Sequence, residues 1–224
     1  MKKVLFLFIT AACLLQINAV AQKSQVGITG GISPSNIYGE VGGLDKRGDV
    51  RTGLTVGLLV DAPIGKTNFS FQPGIHYVQK GTFTTKTEIL KEADLLRYAD
   101  LIANFIYYMG AKDKNRLYVG LGPQIGFSLP SKKIRIQNDK RTEVRNIAFG
   151  DTEFDDYQNM DFGVNALAGI RFKKGIIFSV NYTFGIRNII PVPKGDDHLR
   201  NGSLGIRLGY FFSNTPKEKK KKTK

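Results

Sequence analysis

Few side chains in this sequence combine a type and a spacing that chemistry needs. Histidine occurs twice, at His76 and His198, and cysteine once, at Cys13. Asp196-Asp197-His198 would set carboxylates beside an imidazole, the pairing that orients a general base in a hydrolase or an acyltransferase. These three residues follow Pro191, Pro193 and Gly195, a setting in which Asp and His ordinarily shape turns, and the turn reading carries more weight. His76 stands in an alternating segment and reads as a hydrogen-bonding residue on an interior face. Two distant histidines and one cysteine give no ligand set for a transition metal, so neither metal nor cofactor is expected. Gly120-x-Gly122 does not open a helix after a strand, and a dinucleotide fingerprint is therefore rejected.

Two charged sets remain. Asp100, Asp161, Arg171, Arg187 and Arg207 punctuate positions that are otherwise small and polar, and they predict an interior polar cluster in which Arg171 and Arg187 lie toward opposite ends, so that the three arginines do not share one group. Lys132, Lys133, Arg135, Lys140, Arg141 and Arg145 precede Asp151, Glu153, Asp155 and Asp156. Ile134 and Ile136, then Val144 and Ile147, flank Asn138-Asp139, which predicts a hairpin prolonging the barrel wall. Its basic arm has the chemistry to hold lipopolysaccharide phosphates or an acidic partner. The competing reading is a solvated loop that neutralises itself.

The elements that must position these groups begin with an export segment. Lys2 and Lys3 precede an apolar run from Val4 to Leu15, and Ala19-Val20-Ala21 supplies a small-x-small cleavage pattern. The run is too short to span a bilayer as a helix. Residues 1–21 are expected to be a signal peptide, 22–212 a single β-domain, and 213–224 a lysine-rich tail. Thr10-Ala11-Ala12 makes a poor lipobox for Cys13, and no other cysteine exists to form a disulfide. The formal charge is +14, with six lysines and one glutamate in the last twelve residues. An exported chain has little access to nucleic acid, so anionic lipid or polysaccharide is the expected counterpart.

Period-2 alternation recurs through the body and argues strands. Leu54, Val56 and Leu58 alternate with Thr55 and Gly57; Phe69, Phe71 and Ile75 with Ser70, Gln72 and His76. Similar runs cover 26–32, 117–128, 161–172, 176–187 and 203–212. The segment 88–108 also fits an amphipathic helix, through Leu95, Leu96, Leu101 and Ile102; the strand reading is preferred and brings the count to eight. One face is aliphatic and aromatic. The other is Gly, Ser, Thr, Asn and Gln with few charges, which is poor for a water-facing surface but suits the cramped interior of a narrow barrel. The connections 36–52, 61–66, 81–97, 110–115, 130–160, 173–175 and 188–201 alternate long and short, as in transmembrane barrels with tight periplasmic turns. The expected fold is an eight-stranded antiparallel up-and-down β-barrel in the outer membrane of a Gram-negative bacterium, with both termini periplasmic.

Several segments in order resemble the PorT-like family of outer membrane β-barrels. They are Gly30-Gly31-Ile32-Ser33-Pro34-Ser35-Asn36, Phe69-Ser70-Phe71-Gln72-Pro73-Gly74-Ile75-His76-Tyr77-Val78-Gln79-Lys80-Gly81, Tyr118-Val119-Gly120-Leu121-Gly122-Pro123, Asp161-Phe162-Gly163-Val164-Asn165-Ala166-Leu167-Ala168-Gly169 and Leu208-Gly209-Tyr210-Phe211-Phe212. Tyr98-Ala99-Asp100-Leu101-Ile102 lacks the proline of the family's usual fourth strand, and the lysine tail runs past the usual aromatic end. The resemblance implies this fold and location, and it makes a role in secretion conceivable.

An eight-stranded barrel is nearly filled by its own side chains. The expectation is therefore a non-enzymatic protein, structural or accessory to a secretion or surface assembly, acting through its extracellular loops. A loop-borne surface hydrolase or acyltransferase, and a narrow channel or small-solute binder, are the alternatives. Inside, Asp161 is expected to meet Arg187 near the extracellular rim.

Overall fold

A single antiparallel wall accounts for almost all regular structure in the computed structural model, which describes residues 24–87, 89–111, 114–138 and 140–212. The expected signal peptide and the lysine-rich tail lie outside the described residues. Ten strands occur in chain order: β1 Gln25–Val41, β2 Leu44–Arg47, β3 Asp49–Pro63, β4 Phe69–Lys86, β5 Leu90–Met109, β6 Arg116–Gln137, β7 Lys140–Ile147, β8 Met160–Arg171, β9 Ile176–Gly185 and β10 His198–Phe211. Eight of them form a ring, β1-β3-β4-β5-β6-β8-β9-β10, which β10 closes by pairing with β1 from Gly27↔Phe211 to Glu40↔His198. Closure leaves no unpaired edge. The remaining two, β2 and β7, are hairpin partners of β1 and β6 at one end.

The alternation places the apolar side chains outward. Leu54 is 60% exposed and Leu208 63%, and Val56, Leu58, Phe105, Leu121 and Phe184 are exposed beside them. A continuous aliphatic surface of this kind is what hydrocarbon solvates and water does not. Aromatic pairs mark its borders: Phe69–Tyr107 and Tyr210–Phe212 at the end with the tight turns, Tyr182–Phe184 toward the other. The inward positions are Ser, Thr, Asn and Gln, among them Thr29, Ser33, Gln72, Asn104, Gln124, Asn165 and Asn181.

Connections at one end are short. Gly175 closes the β8–β9 turn with φ of +89° and donates its N–H to Phe172, a conformation that favours glycine. At the other end the strands continue far beyond a bilayer. A membrane strand needs about 9–11 residues, whereas β4, β5 and β6 have 18, 20 and 22. The long connections expected at 36–52, 81–97 and 130–160 are thus largely strand. The last contains the β6–β7 hairpin, which turns at Asn138 with φ of +50°. Only 148–159 and 186–197 remain mostly irregular, and they fold inward. Gln158 N–H donates to Ile189, and Ile189 N–H to Leu199. Ile37, Leu96, Tyr98, Ile147 and Ile189 bury one another there, with Phe149, Tyr157 and Leu199 against them. This apolar plug caps the barrel.

Candidate functional site

Directly below the plug, three strands bring a lysine and two aspartates into contact. Pairing aligns His76, Asp100, Gly126 and Asp161 in one row across β4, β5, β6 and β8. Lys80, four residues farther along β4, extends its ammonium to Asp100 Oδ2 at 3.1 Å and to Asp161 Oδ2 at 3.1 Å. The side chains are 1%, 3% and 1% exposed respectively, so this ionic contact is fully withdrawn from water. Asn201 Nδ2 donates to Asp161 at 3.1 Å, and the Tyr98 ring lies 4.8 Å from the ammonium. Gly126 is required here: a Cβ would meet Asp100 Oδ1 at 2.6 Å and crowd Tyr98 as well. One lysine faces two carboxylates, and Arg207, farther along the interior, contributes a compensating positive field at Asp100. Burying ions at this cost requires such pairing.

Below the triad lies an uncharged hydrogen-bonded layer. Asn181 Nδ2 donates to Asn165, and Asn165 Nδ2 donates to Asn104. His76 Nε2 meets Thr29 Oγ1 at 3.3 Å, and Ser33 meets Ser203 at 2.8 Å. The space among them is a cavity of about 30 Å³ bordered by His76, Asn165, Asn181 and Arg207, room for about one water. An apolar layer follows, with Ile106, Tyr108 and Tyr118 on one side and Leu59, Ile177 and Phe211 on the other. At the mouth beneath it, Arg171 binds Asp61 at 2.6 Å and Gln25, while Tyr108 Oη donates to Asp61 at 3.1 Å.

The five interior charges divide along the axis, as the opposite ends expected for Arg171 and Arg187 imply. Asp100 and Asp161 come together, with Arg207 deeper inside; Arg171 belongs to the opposite mouth. The expected Asp161–Arg187 contact is replaced by Asp161–Lys80, and Arg187 instead donates to Gln158 Oε1 at 2.7 Å with its guanidinium 5.3 Å from the Phe162 ring centre. The reason is local. β9 ends at Gly185, and the N–H groups of Ile186 and Arg187 both turn to the Phe162 carbonyl, so strand parity no longer sets the side on which Arg187 lies. Lys80 was not among the expected interior charges, because the apolar alternation of its strand fades before it. It shares even parity with Ser70, Gln72 and His76, which was the available signal.

At the extended end, the basic arm is mostly paired. Lys132 binds Glu143, Arg135 binds Glu92 at 2.7 Å, Lys133 lies 3.9 Å from Asp94, and Arg145 grips Asp156 through both Nη atoms at 2.5 and 2.6 Å. Lys140 and Arg141, at the hairpin tip, have no carboxylate partner among the described residues. The hydrogen bonds from Arg145 hold the Asp156 carboxyl below its ordinary range. Burial, then the adjacent Asp94, pushes the Tyr157 phenol up. The Tyr157 phenol donates a hydrogen bond to Asp94 Oδ2 at 2.7 Å, which ties the 148–159 segment to β5. In the last loop, His198 Nδ1 meets the Asp196 backbone carbonyl at 3.0 Å, and the Asp197 carboxylate accepts the Gly42 N–H at 2.7 Å. Both groups serve the turn, and neither carboxylate orients the imidazole.

A family model described as an outer membrane protein beta-barrel domain matches residues 20–191. No curated protein matches the chain. Solved structures similar to it include the attachment invasion locus protein Ail of Yersinia pestis, at 12% identity and a TM-score of 0.42, covering 84% of this chain and 99% of that one. Neisserial surface protein A matches at 10% identity and a TM-score of 0.43, covering 84% and 97%. OprG from Pseudomonas aeruginosa matches at 14% identity and 0.39, covering 84% and 96%.

Proposed function

Because the chain belongs to the outer membrane protein beta-barrel domain family, we propose that it works as a closed, non-enzymatic barrel, structural or accessory to a secretion or surface assembly. The observation that carries this reading is the filled interior. A plug, an ion triad, an amide layer and an apolar layer succeed one another along the axis, with a cavity of only about 30 Å³ among the central polar side chains. Among the described residues these layers leave little room for a solute along the axis, and His198 and Asp197 are engaged in turn contacts. The surface left for work is the stiff extension of β4, β5, β6 and β7. We assign it to the extracellular side, because barrels of this class keep tight turns in the periplasm; both termini are then periplasmic. The motif resemblance supports a PorT-like subfamily and, with it, a secretion or surface assembly. Lys140 and Arg141 are the cations still available for an acidic partner or lipopolysaccharide phosphate.

Affinity capture from detergent-solubilised outer membranes tests the proposal. The full chain is expected to retain a protein partner that Lys140→Glu/Arg141→Glu releases, with the heat-modifiable migration of a folded barrel preserved in both. Capture of no partner, or capture indifferent to the tip substitutions, contradicts it.

A further inference from the structure

The turn end of the barrel carries an excess of positive charge. Residues 61–69, 110–116 and 171–176 together contain seven Lys and Arg but two Asp. Of these, Asp61 is taken by Arg171. Lys66, Lys114, Lys173 and Lys174 are exposed and have no carboxylate partner among the described residues, while the half-buried Arg116 only shares the field of Asp61, which Arg171 binds. Arg116 moreover stands directly opposite Arg171 across the β6–β8 ladder, where like charges repel. Its guanidinium lies 4.2 Å from the Tyr108 ring centre and borders a cavity of about 80 Å³ that also meets Thr67, Asn68 and Ser70, a setting rich in donors.

Position says what would neutralise this charge. The Phe69–Tyr107 and Tyr210–Phe212 pairs stand at the same end, and aromatic belts mark the headgroup level of a bilayer. The three turns join β3 to β4, β5 to β6 and β8 to β9, so the cations are spread around the ring instead of forming one face. A single protein partner would need one face, whereas an annulus of lipid meets all three turns. We infer that this rim is a phosphate-headgroup site, at which Arg116 and the four lysines hold anionic phospholipids of the surrounding leaflet. The inference rests on the orientation proposed above, which places the turns against the inner leaflet. Protease access to 130–160 in intact cells tests that orientation separately.

Native mass spectrometry of the full chain in detergent, titrated with phosphatidylglycerol, phosphatidylcholine or inorganic phosphate, provides the test. Phosphatidylglycerol adducts are expected to dominate over phosphatidylcholine. Arg116→Gln/Lys173→Gln/Lys174→Gln should weaken them about tenfold or more, since each cation near a headgroup contributes on the order of a several-fold change. Lys46→Gln/Arg47→Gln, on β2 at the far end, should leave them unchanged. Lys66→Gln/Lys114→Gln on the exposed turns serves as a second variant, with folding of each checked by heat-modifiable migration. Equal binding of the two lipids, adducts undiminished in both rim variants, or inorganic phosphate binding as well as the lipid would each overturn the assignment.

Discussion

Removing the Lys80 ammonium should damage this barrel more than most single changes. In Lys80→Met, the apolar stem remains while Asp100 and Asp161, 3% and 1% exposed, lose their common counter-ion. Two contacts at 3.1 Å each represent a gross attraction on the order of 5 kcal/mol at an effective dielectric of about 20. Most of that is offset in the native protein by desolvation of all three ions. What the substitution exposes is the uncompensated part: two neighbouring buried carboxylates with Asn201 as a remaining donor and Arg207 farther off. Breaking a buried pair in this manner costs about 3–5 kcal/mol. Lys80→Met/Asp100→Asn/Asp161→Asn removes the ions together and should recover most of the loss, since replacing a whole buried network by neutral groups is close to neutral. The chain contains no tryptophan, so urea unfolding from lipid vesicles is best followed by far-UV circular dichroism together with heat-modifiable migration. A Lys80→Met protein within about 1 kcal/mol of wild type, or a triple variant no more stable than the single one, would refute the reasoning.

Two further predictions follow from the assignment of faces and from the plug. Val56→Arg or Val180→Arg on the outward face should cost about 2–4 kcal/mol in the same unfolding assay, while the inward Asn181→Ser, which gives up the hydrogen bond to Asn165, should cost about 1 kcal/mol; equal tolerance of both classes would reverse the faces. The Asp156 carboxyl is held below its ordinary value of 3.8 by the Arg145 hydrogen bonds. A depressed carboxylate adds stability that is complete above that ordinary value and fades as pH falls through the lowered one. Because the Arg145 side chain is half exposed, the effect is a few tenths of a kcal/mol. Hydrogen exchange of 148–159 should therefore accelerate only below about pH 4, and Asp156→Asn should remove that dependence.

How much of this was legible in the sequence depends on the residue. Val56 and His76 reveal their faces through strict alternation, and the ring of eight strands follows from counting such runs. Leu95 and Leu96 are less transparent: both are buried, next to a bulge between Leu95 and Arg97, and two consecutive buried apolar residues imitate helical spacing. That irregularity let 81–97 pass for a loop, whereas Ile134, Ile136, Val144 and Ile147 around Asn138-Asp139 made the β6–β7 hairpin legible as a prolonged wall. Asp100 and Asp161 could be placed inside by parity, but their partner could not, because Lys80 lies past the point at which the apolar signal of its strand fades. Arg187 was misjudged for the opposite reason, since parity was extended past the last ladder bond of β9. The Arg145–Asp156 clasp joins residues on either side of an irregular loop, and no periodicity announces such a contact.

Single-channel recording of the purified full chain in planar bilayers bears most directly on the closed barrel. The packed interior predicts a membrane that stays electrically silent at moderate voltage with wild-type protein inserted. Stable, reproducible conductance steps from wild-type protein would contradict it.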